Sequence, residues 1–233
     1  MKVGVTLPTF EPTAAKALVA ARAAEGAGID GVFVFDHLWR GDKRSRPALS
    51  MYPMLGAVAA TTTRVRVGSL VARVGFLPDR LVVESFVSLH ELTGHRLVAA
   101  FGIGDAESAS ENEAYGIAWP ALGDRRASLA AILGELTARG IECWVGATAP
   151  ATLEIARAGR ATINLWNVDL DRLKAEAARG PVTWAGSFPA EARSAADQLM
   201  DLRAAGATWA IWGWPRSIDL VTQAVRLAGL RRR

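Results

Sequence analysis

Gly28-Ile29-Asp30-Gly31-Val32-Phe33-Val34-Phe35-Asp36-His37-Leu38-Trp39 is the stretch that decides the reading of this chain. Four consecutive apolar residues after Gly31 read as a strand buried on both faces. A helical segment ending at Gly28 precedes it, the pattern of a parallel sheet in an α/β protein. The strand runs straight into Asp36, His37 and Trp39, which puts polar chemistry at its carboxyl end.

Outward from this unit the same alternation recurs. Strands are expected at 3–7, 31–35, 65–71, 96–101, 141–145, 161–166, 182–185 and 208–212. Helices are expected between them: from Pro12 to Gly26, about 53–60, from Pro78 to Gly94, 125–136 capped by Asp124, 151–158, 169–178, 189–205 and 218–228. The residues between Asp105 and Gly123 read as the longest loop, and Arg40 to Arg46 as an arginine-rich loop. Eight strands alternating with eight helices predict an α/β fold, a closed (β/α)8 TIM barrel in one domain spanning 1–233, for which roughly 200 to 250 residues suffice. A doubly wound open sheet is the alternative, because periodicity does not show closure.

Composition narrows the class of partner. The chain has 233 residues, 51% of them apolar, and no low-complexity or linker-like segment. The net charge of +4 comes from 27 basic and 23 acidic residues, with four arginines between Arg226 and Arg233. No other basic stripe is interleaved with aromatics, so nucleic-acid binding is not expected. The single Cys143 excludes an internal disulfide and fits a reducing, cytoplasmic location. Met1 to Val5 opens directly on a strand-like pattern without signal-peptide organisation, and no apolar run reaches the ~20 residues of a membrane span. His37, His90 and His95 are the only histidines, which disfavours a metal site.

In a parallel barrel the ligand site lies at the carboxyl ends of the strands. The residues just after the strands are Thr9 and Glu11; Asp36, His37 and Trp39; Ala72 and Arg73; Asp105, Glu107 and Ser108; Gly146 to Thr148; Asn167; and Trp214 and Arg216. His37 beside Asp36 suits acid or base work near neutral pH, or else a hydrogen bond to loop backbone. The small-residue turn Gly146-Ala147-Thr148-Ala149-Pro150-Ala151-Thr152 suits an anion at a helix N-terminus, with Thr148 and Thr152 as hydroxyl donors, or simply close packing. Trp39 and Trp214, beyond strand ends, are placed to wall an aromatic ligand.

Taken together, Ala24 to Trp39, Thr63-Arg64-Val65-Arg66-Val67-Gly68, Leu92-Thr93-Gly94-His95-Arg96-Leu97, Phe101-Gly102-Ile103-Gly104, Asn112 to Ile117 and Gly123-Asp124-Arg125-Arg126 resemble the luciferase-like monooxygenase family of flavin and deazaflavin oxidoreductases. The resemblance implies a ring-bearing cofactor across the barrel mouth. Asp36 and His37 would sit beside the ring and Ser69, Leu70 and Val71 behind it; Gly146, Ala147, Thr148 and Thr152 would hold the phosphate. It also implies a non-proline cis peptide at Leu70-Val71, an acidic Asp105 near the ring, and a homodimer. The Asp-His-Leu-Trp loop is more similar to the coenzyme F420 branch than to the FMN branch. Hydride transfer between deazaflavin and a small organic substrate is therefore the expected reaction, with His37 or Glu11 handling a proton; an FMN-dependent monooxygenase is the alternative. The long insertion that family members carry near Arg139 to Ile141 is missing here, so a shortened barrel that binds flavin without turnover is a third reading.

Overall fold

The computed structural model describes residues 1–40 and 43–230, and the side chains of Arg40, 43–47, Ala106 and Glu107 lie outside what it describes. Eight parallel strands close on themselves. In chain order the elements are β1 (Lys2–Thr6), α1 (Ala15–Gly26), β2 (Gly31–Val34), β3 (Trp39–Arg40), β4 (Lys43–Pro47), α2 (Met51–Thr61), β5 (Arg66–Ser69), β6 (Ala72–Arg73) and α3 (Asp79–Leu92). There follow β7 (Leu97–Gly102), α4 (Ala106–Ala114), α5 (Leu122–Ala138), β8 (Cys143–Gly146), α6 (Pro150–Ala158), β9 (Thr162–Trp166), α7 (Leu170–Ala177), β10 (Val182–Gly186), α8 (Ala192–Ala204), β11 (Trp209–Trp212) and α9 (Ile218–Leu227).

Strand β1 pairs with both β2 and β11, and the ladder passes through β10, β9, β8 and β7 to return through β5 to β2. The β5–β7 pairing, Val67 against Leu97 and Gly68 against Val98, closes the ring and rules out the open-sheet alternative. The expected third strand is interrupted: β5 and β6 flank a cis peptide at Leu70-Val71, as the family resemblance implies. Past it, β6 pairs again with β7.

Two apolar cores follow from strands buried on both faces. The larger lies between the sheet and its helices. The smaller fills the barrel: Phe33, Leu70, Val98, Ala100, Trp144, Ala185, Trp209 and Ile211. There the Phe33 ring stacks on Trp144 at 5.4 Å and meets Trp209 edge-on at 5.9 Å. A Cβ on Gly68 would stand 2.7 Å from the Val98 carbonyl oxygen and 3.0 Å from the Phe33 ring, so neighbouring backbone passes where a side chain would be.

Three sequence expectations change. The segment after Asp105 is not all loop, since α4 occupies nine residues of it. Its sequence AESASENEA has no apolar stripe, and among its described side chains those buried, Ser108, Glu111 and Asn112, are polar, so hydrophobic periodicity does not reveal it. Helix α5 starts at Leu122 with Asp124 inside its first turn, not as its cap. Part of the arginine-rich segment forms the antiparallel β3–β4 ribbon, whereas its side chains, like Arg231 to Arg233, lie outside the described residues.

The start of β5 is pinned by a carboxylate. Glu25, in the last turn of α1, accepts hydrogen bonds from the backbone N–H groups of Thr63, Arg64 and Val65. Burial opposes its charge, but those three donors outweigh it and hold the carboxyl down at about 2.

Gly68→Ala is expected to lower stability by about 1–3 kcal/mol through overpacking. Gly56→Ala, in α2 with nothing within 4 Å of the added Cβ, should raise it by about 0.5–1 kcal/mol. Urea denaturation of the two variants checks both signs.

Candidate active site

On two neighbouring strands side chains shrink toward the barrel's carboxyl end. On β7 the inward series is Val98, Ala100, Gly102, and on β8 it is Trp144 then Gly146; the larger members fill the interior core and the glycines line a cavity. The taper leaves the mouth open. Val71, immediately after the cis peptide, occupies part of the space: a Cβ on Gly102 would stand 2.6 Å from its Cγ2, and one on Gly146 2.9 Å from its Cγ1.

The cavity measures about 660 Å³ and has four kinds of wall. Phe10, Phe35 and Trp166 form an aromatic side, with Phe10 stacked on Phe35 at 5.7 Å and Phe35 against Trp166 at 5.9 Å. Leu70, Val71, Gly102 and Ile103 form an aliphatic and backbone side. Asp36, His37, Trp39, Arg73, Asp105 and Ser108 bring the polar groups, and Gly146 to Ala149 with Thr152 line the start of α6.

A single buried carboxylate organises the polar wall. Glu111, 1% exposed, accepts from His37 Nδ1 at 3.2 Å and from the Leu38 N–H at 3.2 Å through Oε1. Its Oε2 accepts from Arg73 Nη1 at 2.6 Å. Arg73, 4% exposed, also donates its backbone N–H to Asp36 Oδ2 at 2.8 Å. Asp105 caps α4, its Oδ1 accepting from the Ser108 N–H and hydroxyl, each at 3.0 Å.

These contacts displace the acidities in opposite directions. The hydrogen bond to Glu111 raises the His37 imidazole above its ordinary 6.5, against burial, which alone would lower it. Burial pushes the Glu111 carboxyl up, but His37 and Arg73 outweigh it and hold the group below the usual carboxylate range. Asp36 is raised, because burial exceeds the help of Arg73. Asp105 is lowered: burial is overcome by the Ser108 hydrogen bonds and the charge of His37.

The start of α6 has the features of an anion site. Pro150 stands at its first position and Ala149 provides no side-chain cap. The Thr152 hydroxyl is buried with no partner. Arg172 Nη2 donates to the Thr148 carbonyl at 3.2 Å, bringing a cation beside the turn. A helix N-terminus with free donors and an unused hydroxyl fits a phosphate.

Of the residues expected from sequence, His37, Asp36, Asp105, Leu70, Val71, Gly146, Ala147, Thr148 and Thr152 all line this one cavity. Ser69 does not; it is fully buried, donating to the Ala100 carbonyl at 2.7 Å and accepting from the Ala100 N–H at 2.9 Å. Glu11 is also outside the lining and pairs with exposed Lys16 at 3.1 Å. Trp39 lines the cavity and Trp214 does not. Glu111 escaped the sequence reading, and Arg73 carried no assigned role there. The signal available for Glu111 is its spacing from Ser108 and Asn112, three and one residues apart, on a helix capped by Asp105.

The His37–Glu111 contact has a signature in stability. Because the folded imidazole binds its proton more tightly than the unfolded one, its contribution is complete below the unfolded value of about 6.5 and is lost as pH rises through the higher folded value. Urea midpoints of wild type and His37→Ala should therefore differ more at about pH 6 than at about pH 9.

An F420-dependent glucose-6-phosphate dehydrogenase of Nakamurella multipartita is 35% identical over 145 residues, covering 60% of this chain and 40% of that protein. The chain thus spans less than half the length of that relative. A solved F420-dependent secondary alcohol dehydrogenase, in complex with an F420-acetone adduct, superposes with a TM-score of 0.80 at 13% identity, over 97% of this chain and 98% of that one. A type II Baeyer-Villiger monooxygenase constituent of Pseudomonas putida, in complex with FMN, superposes with a TM-score of 0.63 at 16% identity, over 86% and 71%. These two likenesses establish the barrel. The family model for luciferase-like monooxygenases matches residues 1–207, and the chain belongs to that family.

Proposed function

We propose that this protein is an F420-dependent oxidoreductase that moves a hydride between the deazaflavin and a small organic substrate. The observation that carries the reading is that one cavity holds both an anion-accepting helix start and a histidine tied to a buried carboxylate. The F420-dependent relatives support the choice of cofactor.

The residues present fit such a group. Gly146 to Thr148 and the unpartnered Thr152 hydroxyl would hold its phosphate, and Leu70 and Val71 would pack against its ring. When bound, F420 supplies a two-electron hydride carrier that reacts poorly with oxygen. The chain supplies the rest. Phe10, Phe35 and Trp166 keep water from one side of the cavity, and the open end admits a small substrate. His37 would give a proton to a substrate oxygen in reduction, or take one in oxidation, at an imidazole whose proton Glu111 holds more tightly than usual. Asp105, as a carboxylate facing the same space, favours the protonated imidazole.

FMN is the second reading, favoured by the FMN-bound fold neighbour. Fluorescence titrations of the purified protein with F420 and with FMN separate the two. F420 should bind the more tightly, and Thr152→Val should weaken it roughly ten- to a hundredfold by removing a hydrogen bond to a charged group. Loss of F420 absorbance with a panel of alcohols and sugar phosphates then reports turnover, which His37→Ala should abolish or greatly slow. If neither cofactor binds up to about 1 mM, near −4 kcal/mol, the oxidoreductase reading fails.

A further inference from the structure

We infer that Glu111 is the positioning residue of this site: its carboxylate fixes His37 with a proton on Nδ1 and leaves Nε2 as the atom that exchanges a proton with a ligand. The inference rests on the reading of His37 as the group that handles the substrate's proton.

The geometry carries it in three steps. First, Oε1 of Glu111 is shared by two donors on adjacent residues, His37 Nδ1 at 3.2 Å and the Leu38 backbone N–H at 3.2 Å, so the carboxylate grips both the ring and the backbone of the β2 exit. A carboxylate only accepts, so the ring nitrogen facing it must carry hydrogen. Second, the carboxylate is itself held, through Oε2 by Arg73 Nη1, and Arg73 donates to the Ser108 carbonyl one turn earlier on α4 at 3.3 Å. Third, Arg73 reaches back through its N–H to Asp36, the residue before His37, so α4, β6 and the β2 exit form one closed polar circuit.

The charges around His37 are arranged for this purpose among the described residues. Glu111 comes from α4, Asp36 from its own loop, Asp105 from the turn before α4, and Arg73 from β6, while the Tyr52 phenol of α2 lies close enough to Asp36 to feel its charge. Among these charges Arg73 opposes protonation of the imidazole, as burial does, and the three carboxylates favour it. The Arg73 guanidinium at Oε2, with His37 at Oε1, holds Glu111 ionised and ready to accept.

A structural role for Glu111, merely neutralising Arg73, predicts no effect on which His37 nitrogen holds hydrogen. Histidine nitrogen NMR distinguishes the two. With three histidines in the chain, the His37 signals are assigned by their loss in His37→Ala. In the wild type, neutral His37 should show hydrogen on Nδ1 and a bare Nε2, and it should titrate above 6.5. In Glu111→Gln, which keeps size and one acceptor but removes the charge, the titration should move down toward or below 6.5 and the single-tautomer signature should weaken. An unchanged titration and tautomer in Glu111→Gln would overturn the inference. So would hydrogen on Nε2 in the neutral wild-type ring, a measurement that needs no folded variant. F420 titration of the same samples separates this from the functional reading: the expected His37 signature in a protein that binds no F420 would sustain the positioning role and remove the oxidoreductase one.

Discussion

Everything at the mouth of this barrel depends on how its interior is filled. Phe33, Trp144 and Trp209 pack against one another at the inner end, with rings 5.4 to 5.9 Å apart. Three large rings in one layer leave the strands no room for further bulk there, and the glycines at 4, 31 and 68 surrender the space that Phe33 takes. Toward the carboxyl end the inward positions become alanine and then glycine on β7, and glycine on β8. The same ladder that is a packed core at one level is therefore a cavity two residues further on.

A second consequence is that the site is carried by a rigid frame while its chemistry comes from the segments beyond. Asp36 and His37 leave β2, Arg73 ends β6, Asp105 follows β7 and the phosphate-type turn follows β8. Asp105 is held by Ser108 of the helix it caps, but His37 and Arg73 are held by a neighbour in space and not in sequence: Glu111 stands 74 residues from His37 and 38 from Arg73. A buried carboxylate would be costly without partners, and here three donors meet it. That requirement makes α4, a helix with a polar buried face, part of the site and not simply a connection.

The phosphate-type turn shows the opposite economy. Its suitability comes from what the fold leaves unused: Ala149 provides no side-chain cap and the buried Thr152 hydroxyl has no partner. Donors left unused by the fold are available to a ligand. Arg172 of α7, bound to the Thr148 carbonyl and to Glu176, adds positive potential without occupying the place of the anion.

By itself the sequence determined the alternation of strands and helices, the Asp36-His37 pair at a strand end, the small-residue turn before α6 and the resemblance to luciferase-like barrels. Each is a local signal: apolar runs, glycine stops and the order of short motifs along the chain. Closure was decided only by the β5–β7 pairing, because hydrogen bonds between distant strands leave no mark on periodicity. Helix α4 and its Glu111 were likewise decided only in three dimensions. A helix that buries Ser108, Glu111 and Asn112 looks in sequence like a solvated loop, and it becomes interior only because Arg73 and His37 arrive opposite it. Glu11 and Ser69 mark the converse limit. Their positions beside strand ends are legible in sequence, but whether a side chain turns toward the cavity, toward Lys16 or toward the β7 backbone is a matter of local direction that linear order does not encode.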